Sequence, residues 1–250
     1  MSTIAETTVL FGRTMKHIQR SPDTIITVAI MPIAFMLLFV YVFGGAINAG
    51  PGNYVNYLLP GILLIAVASG ISYTAFRIFN DTQKGIITRL HSMPVARSSV
   101  LWGHVLTSLV SNFISLAIIV GVALIMGFRS GAGLLSWLAV AGILALFTLA
   151  LTWIAVIPGL TAKSVDAASA FSYTLIFLPF VSSAFVPTAS MPTPVRVFAE
   201  HQPVTSIVET VRALLASRPV GNDIWIALAW LVGAGLVAYV LAMRAYRRVP

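Results

Sequence analysis

The sequence predicts an all-α integral membrane protein, and three observations carry that expectation. Hydrophobic residues make up 58% of the 250 residues. Charged residues make up only 9%, against about a quarter in a soluble domain. The apolar residues also fall in long continuous runs rather than alternating, which favours spanning helices over a barrel. Mean hydropathy is +0.96. Loops between the runs are short, so residues 1–250 are expected to form one transmembrane domain without a separate soluble catalytic unit. The chain has no cysteine, which excludes disulfides and thiolate metal sites.

The first element is expected over residues 4–20. Ile4, Phe11, Met15 and Ile18 share one helical face, and Arg13, Lys16 and Arg20 share the other. Such a helix lies in the membrane interface, its apolar side in the acyl boundary and its basic side toward anionic headgroups. Ser21, Pro22 and Asp23 break it and turn the chain into the membrane.

Six runs then reach spanning length, about 20 residues. They cover 24–47, 54–79, 99–128, 134–157, 167–187 and 224–243. With the N-terminus in the cytosol, Arg13, Lys16, Arg20, Arg77, Lys84, Arg89, Arg97, Lys163, Arg244, Arg247 and Arg248 lie inside. Only Arg129, Arg196, Arg212 and Arg218 lie outside. That bias places both termini in the cytosol of a multi-pass protein. The net charge of +8 therefore reads as topogenic, not as a nucleic-acid footprint. The segment 188–222 is long for an outside loop. Residues 204–216 within it carry Val204, Ile207, Val208, Val211, Leu214 and Leu215, the pattern of an amphipathic helix too short to span, expected to dip into or lie on the outer leaflet, with a plain extended loop as the alternative.

Catalytic and metal patterns are missing. No His-Glu-x-x-His pair or Gly-x-Ser-x-Gly elbow occurs. His17, His91, His104 and His201 share no ligand spacing, and Lys163 follows Ala162 where a phosphate loop needs glycine. A non-enzymatic chain with no metal and no cofactor of its own is expected. The acids Glu6, Asp23, Asp81, Asp166, Glu200, Glu209 and Asp223 all lie at span ends or in loops. An ion-driven carrier, which places ionisable groups inside the membrane, is thereby disfavoured but stays as an alternative. Polar span residues read in two ways. Hydroxyls and small residues glue helices together, or else Ser69, Tyr73, Asn112 and Thr152 line a path for amphipathic cargo.

The most informative stretch is 80–97, polar and basic between two apolar runs. It carries an apolar stripe, Ile86, Leu90 and Met93 with Ile87 beside it. A loop that merely stays in water needs no stripe; a short helix pressed against a partner does. Lys84, Arg89 and Arg97 would supply a charged rim, and Gly85 a tight turn or close approach.

This order of features resembles the permease subunits of type-2 ABC exporters. The loop carries the nearest likeness: Asp81, Lys84-Gly85, Leu90 and Pro94-Val95-Ala96-Arg97, with Ile86-Ile87-Thr88 where the family has an acid. Ala199-Glu200-His201-Gln202-Pro203-Val204-Thr205 and Val208-Glu209-Thr210-Val211-Arg212-Ala213-Leu214 resemble the segment before that family's last span. The wording is most similar to daunorubicin-resistance-type permeases. The resemblance implies that 80–97 is a coupling helix docking on a separate ATP-binding cassette subunit, which holds ATP and Mg. It further implies a second permease copy, the bacterial plasma membrane and outward movement of a drug, antibiotic or lipid-like cargo. Export of polysaccharide or glycolipid on the same fold is the alternative.

Overall fold

The computed structural model describes residues 7–12, 14–15, 23–47, 53–91 and 96–248, with the backbone alone at 23–25, 91 and 97. Every element among them is helical. Residues 7–12 and 14–15 are helical (α1). Then follow α2 (Asp23–Leu37) with a π-helical continuation Leu38–Phe43, α3 (Tyr54–Gln83), α4 (Ile86–His91), α5 (Arg97–Ile125) and α6 (Leu134–Thr161). After them come α7 (Val165–Phe177) running into a 3₁₀ turn Leu178–Val181, α8 (Thr193–His201), α9 (Pro203–Leu215) and α10 (Asp223–Tyr246).

Five of these helices are long and apolar enough to cross a membrane: Ile26–Phe43, Tyr54–Gln83, Ser98–Ile125, Leu134–Thr161 and Asp223–Tyr246. The run expected over 167–187 is present as a shorter apolar helix, Val165–Val181. Pro179 sits in its 3₁₀ turn, where a missing backbone N–H ends the α-helical ladder. Backbone beyond it is irregular, and side chains from elsewhere take up its carbonyls. Gln202 donates to the carbonyls of Leu178 and Val181, Tyr57 to that of Ser183 and Tyr54 to that of Phe185. Irregular backbone at membrane depth survives only when satisfied within the protein.

α3 is the axis of the molecule. It packs on α2, α5, α6 and α7, and its residues from Leu58 to Ala68 are buried without interruption. The largest cluster surrounds this stretch, with Leu116, Phe147, Phe185 and the α9 residues Ile207, Val208 and Val211. Water is already absent from the spans, so dispersion and close fit hold them, not transfer from water. Close fit shows at two glycines of the axis and its neighbour. A Cβ on Gly61 would stand 2.5 Å from Ala184 Cβ, and one on Gly159 2.9 Å from Ile78 Cβ. A second cluster joins Ile78 and Ile87 to Val105, Trp153 and Tyr246 at the α4 end.

The helix expected over 204–216 is present as α9, and it is a core element rather than a surface one. It packs on α3, α6 and α10. The helix before it, α8, was not foreseen. Its signal is present, Pro194 in the first turn and an Arg196–Glu200 pair at 3.1 Å four residues apart.

Candidate functional site

At the α4 end, α3 runs past the membrane-length stretch and stops at a turn. The Lys84 amide bonds to the Asn80 carbonyl at 3.0 Å and the Gly85 amide to that of Thr82 at 3.1 Å. Gly85 has φ +66° and nothing near its absent Cβ. Its purpose is therefore the left-handed turn, not close approach. α4 begins at once, and its faces divide unequally. Ile87 is 1% exposed and belongs to the second cluster; Leu90 is half-buried against the same cluster. Ile86 is half-buried, while Lys84, Thr88 and Arg89 are exposed. The expected stripe thus splits. Ile87 and Leu90 fasten α4 to its own chain, and the outward face is Lys84, Arg89 and part of Ile86. Met93 and Pro94 lie outside the described residues, as does the side chain of Arg97.

Asp81 does not look outward either. Its carboxylate lies 3.4 Å from His104 Nε2 on α5, and both side chains are largely covered. One turn earlier, Arg77 donates to Thr74 Oγ1 at 3.1 Å. Thr74 donates to Ser108 Oγ at 2.9 Å, and Thr152 Oγ1 lies 3.3 Å from the same atom. Asn112 donates to the Ser108 carbonyl at 2.9 Å. A buried polar seam therefore runs from Asp81–His104 into the middle of the bundle and ties α3, α5 and α6 together. Asn112 is 2% and Thr152 0% exposed. Of the candidate cargo residues these two are joined through Ser108, which ties their helices together.

Ser69 and Tyr73 stand apart from the seam. They are half-buried on α3, on the side that also leaves Phe76 37% exposed. α7 is tied to α3 by the Ser72–Ser172 hydroxyl contact at 2.5 Å. The face of α7 bearing Tyr173 and Phe177 is 64% exposed at each. Exposed or half-exposed hydroxyls and aromatic rings are thus found on both α3 and α7. At the far end Phe35 and Phe39 of the α2 region close on Phe180 and Phe185, with centroids 4.6–6.2 Å apart.

In the N-terminal element Phe11 and Met15 are half-buried. Leu10 approaches α5 so closely that a Cβ on Gly103 would stand 3.1 Å from Leu10 Cβ. α1 is thus seated on α5, a contact the amphipathic pattern did not announce. Ile4, Arg13, Lys16, Ile18 and Arg20 lie outside the described residues. Among the described residues no cluster of His, Asp or Glu is placed to hold a metal ion.

The far end is closed by polar bonds between loops. Asn56 donates to the Arg129 carbonyl at 3.0 Å and accepts from the Arg129 amide at 3.1 Å. Ser130 donates to the Leu215 carbonyl at 2.8 Å and Ser217 to the Gly131 carbonyl at 2.7 Å. Sequence reading missed this ring; Asn, Ser and Gly at the span ends were its only trace.

Fold and site together define the membrane-spanning part of a transporter, a multi-pass helical bundle with a basic helix offered at one end. The ABC-2 type transporter family model matches residues 5–216, and the chain belongs to that family. It is 29% identical over 247 residues to a daunorubicin resistance ABC transporter permease protein of Streptomyces coeruleorubidus, covering 98% of this chain and 87% of the relative. It is 27% identical over 251 residues to a protein of Mycobacterium tuberculosis named as a probable doxorubicin resistance ABC transporter permease, covering 98% and 89%.

Proposed function

We propose that this chain is the membrane subunit of an ATP-driven exporter, and that a separate ATP-binding cassette subunit docks on α4. One observation carries the reading: Ile87 and Leu90 pack α4 into the second cluster, which draws on α3, α5, α6 and α10, while Lys84, Arg89 and Ile86 are left on the outer side. A push on that outer side is passed to the spans through this cluster. ATP and Mg belong to the partner, and no step of hydrolysis falls to this chain. Both termini are cytosolic, a reading the Lys and Arg distribution supports, and the membrane is a bacterial plasma membrane, which the origin of the two relatives supports. The residues 1–250 act as one transmembrane domain.

The cargo is an amphipathic drug, antibiotic or lipid-like molecule. Half-buried Ser69 and Tyr73 with exposed Phe76, Tyr173 and Phe177 offer ring faces with a few hydroxyls, the surface such a molecule prefers. These side chains make half a path. A second copy of the chain would supply the other half, so the working unit is a homodimer with two ATP-binding subunits. The names of the two relatives support the drug class.

Ile86→Asp tests the docking. In membrane vesicles holding the complex, the variant inserts normally, the partner still hydrolyses ATP, and efflux of an amphipathic drug falls at least tenfold. Unaltered efflux would overturn the assignment of α4. Leu90→Asp is the poorer test, because Leu90 also packs on the core.

A further inference from the structure

The most heavily bonded side chain at the far end is Arg212 of α9. Its Nε and one terminal nitrogen donate to the Tyr57 carbonyl at 3.2 and 3.0 Å. The same terminal nitrogen reaches the Ser183 carbonyl at 2.8 Å and the Ala184 carbonyl at 3.4 Å. The other nitrogen pairs with Glu209 at 2.6 Å. The guanidinium also lies 3.8 Å from the centroid of the Tyr57 ring. Three separate parts of the chain therefore meet on one planar cation: the first turn of α3, the irregular backbone after α7, and α9.

The arrangement is closed tightly. Tyr57 Oη donates to the Ser183 carbonyl at 2.8 Å, and Gly61 admits Ala184 with no room for a Cβ. Ser183 Oγ is buried in this joint with no hydrogen-bond partner. The bonds that cross between the parts are all to backbone carbonyls, so they form and break without exchanging one side-chain charge for another. Glu209 stays with Arg212 on its own helix, and the cation keeps a carboxylate whether or not the carbonyls are engaged.

We propose that Arg212 is the latch of the outer exit: it holds α9 and the turn 182–186 against α3 between cycles, and its carbonyl bonds part when cargo leaves. This rests on the exporter reading above, which puts α9 on the outer side. Arg212 is a positioning residue that touches no cargo. The fork geometry of arginine matters here, because lysine offers a point charge that engages one carbonyl well and not two segments at once.

The absence of cysteine allows a direct test. Ser183→Cys is nearly isosteric and replaces a hydroxyl that has no partner. A membrane-impermeant thiol reagent is added outside cells expressing the chain with its partner subunit. With Arg212 intact the thiol labels slowly. With Arg212→Lys it labels at least tenfold faster, and drug efflux falls relative to ATP hydrolysis. Tyr57→Phe, which removes one of the cross-bonds, gives a smaller rise in the same direction. Labelling at an unchanged rate in Arg212→Lys would overturn the latch. If that variant fails to reach the membrane, the decision passes to Tyr57→Phe, where an unchanged rate would overturn it equally. The labelling reads the joint whether or not drug is the cargo, so failure here is distinct from failure of the exporter reading. Rapid labelling with Arg212 intact would itself contradict a closed joint.

Discussion

Asn112 and Gly70 show how single residues set this bundle. Asn112 is buried, its amide nitrogen bonded to Ser108 and its Oδ1 without a partner. A Cβ on Gly70 would fall on that same oxygen. Gly70→Ala therefore forces the side chain aside or the helices apart, at about 1–3 kcal/mol. Pairing it with Asn112→Ala removes the clash, so the double variant is less damaged than the sum of the two. Thermal unfolding in detergent measures this cycle; strictly additive losses would show that the two residues do not meet. The sequence displayed Asn112 and Thr152 as polar groups at helical spacing on apolar spans. It did not display which side each would face, because a span with apolar residues all round has no polar face to orient it. Position relative to α3 decides, and that is a property of the assembled bundle.

At the scale of elements, α4 has an inner and an outer face with opposite consequences. Ile87→Asp places a charge in the second cluster and destabilises the protein by several kcal/mol, which lowers yield and melting temperature. Lys84→Glu changes an exposed side chain, so stability moves by no more than about 0.5 kcal/mol. The same change slows partner association and alters its salt dependence, the usual effect of changing a rim charge. Melting curves and pull-down of the partner separate the two. Equal melting temperatures for Ile87→Asp and the parent would contradict the packing of α4. Existence of this helix was legible as an apolar stripe in a basic loop. Its orientation was not, since Ile86, Ile87 and Leu90 are all apolar and a six-residue helix has too few positions to fix a face. α9 was legible by its period, yet its burial was hidden because Thr210, Ser206 and Arg212 look like surface residues. Hydrogen bonds from Thr210 and Arg212 to backbone carbonyls explain how these two are tolerated inside.

For the whole molecule, composition announced the class at once, and charge distribution gave an orientation. The apolar run at 167–187 is helical only to Val181, because hydropathy does not report where a helical ladder ends; Pro179 lies in its closing turn and Gln202 bonds the carbonyls there. A reporter fused at each terminus tests the orientation: both are expected to be inaccessible to outside protease, and cleavage of either would contradict it.

The central claim is that a separate ATPase drives this bundle through α4. Native mass measurement of the complex, purified in mild detergent from cells carrying the chain and its neighbours in the membrane, tests it most directly. Two copies of the chain with two ATP-binding subunits are expected, and those subunits are lost in the Lys84→Glu, Ile86→Asp double variant. A chain that purifies without any ATPase, or an ATPase retained equally by the double variant, would contradict it.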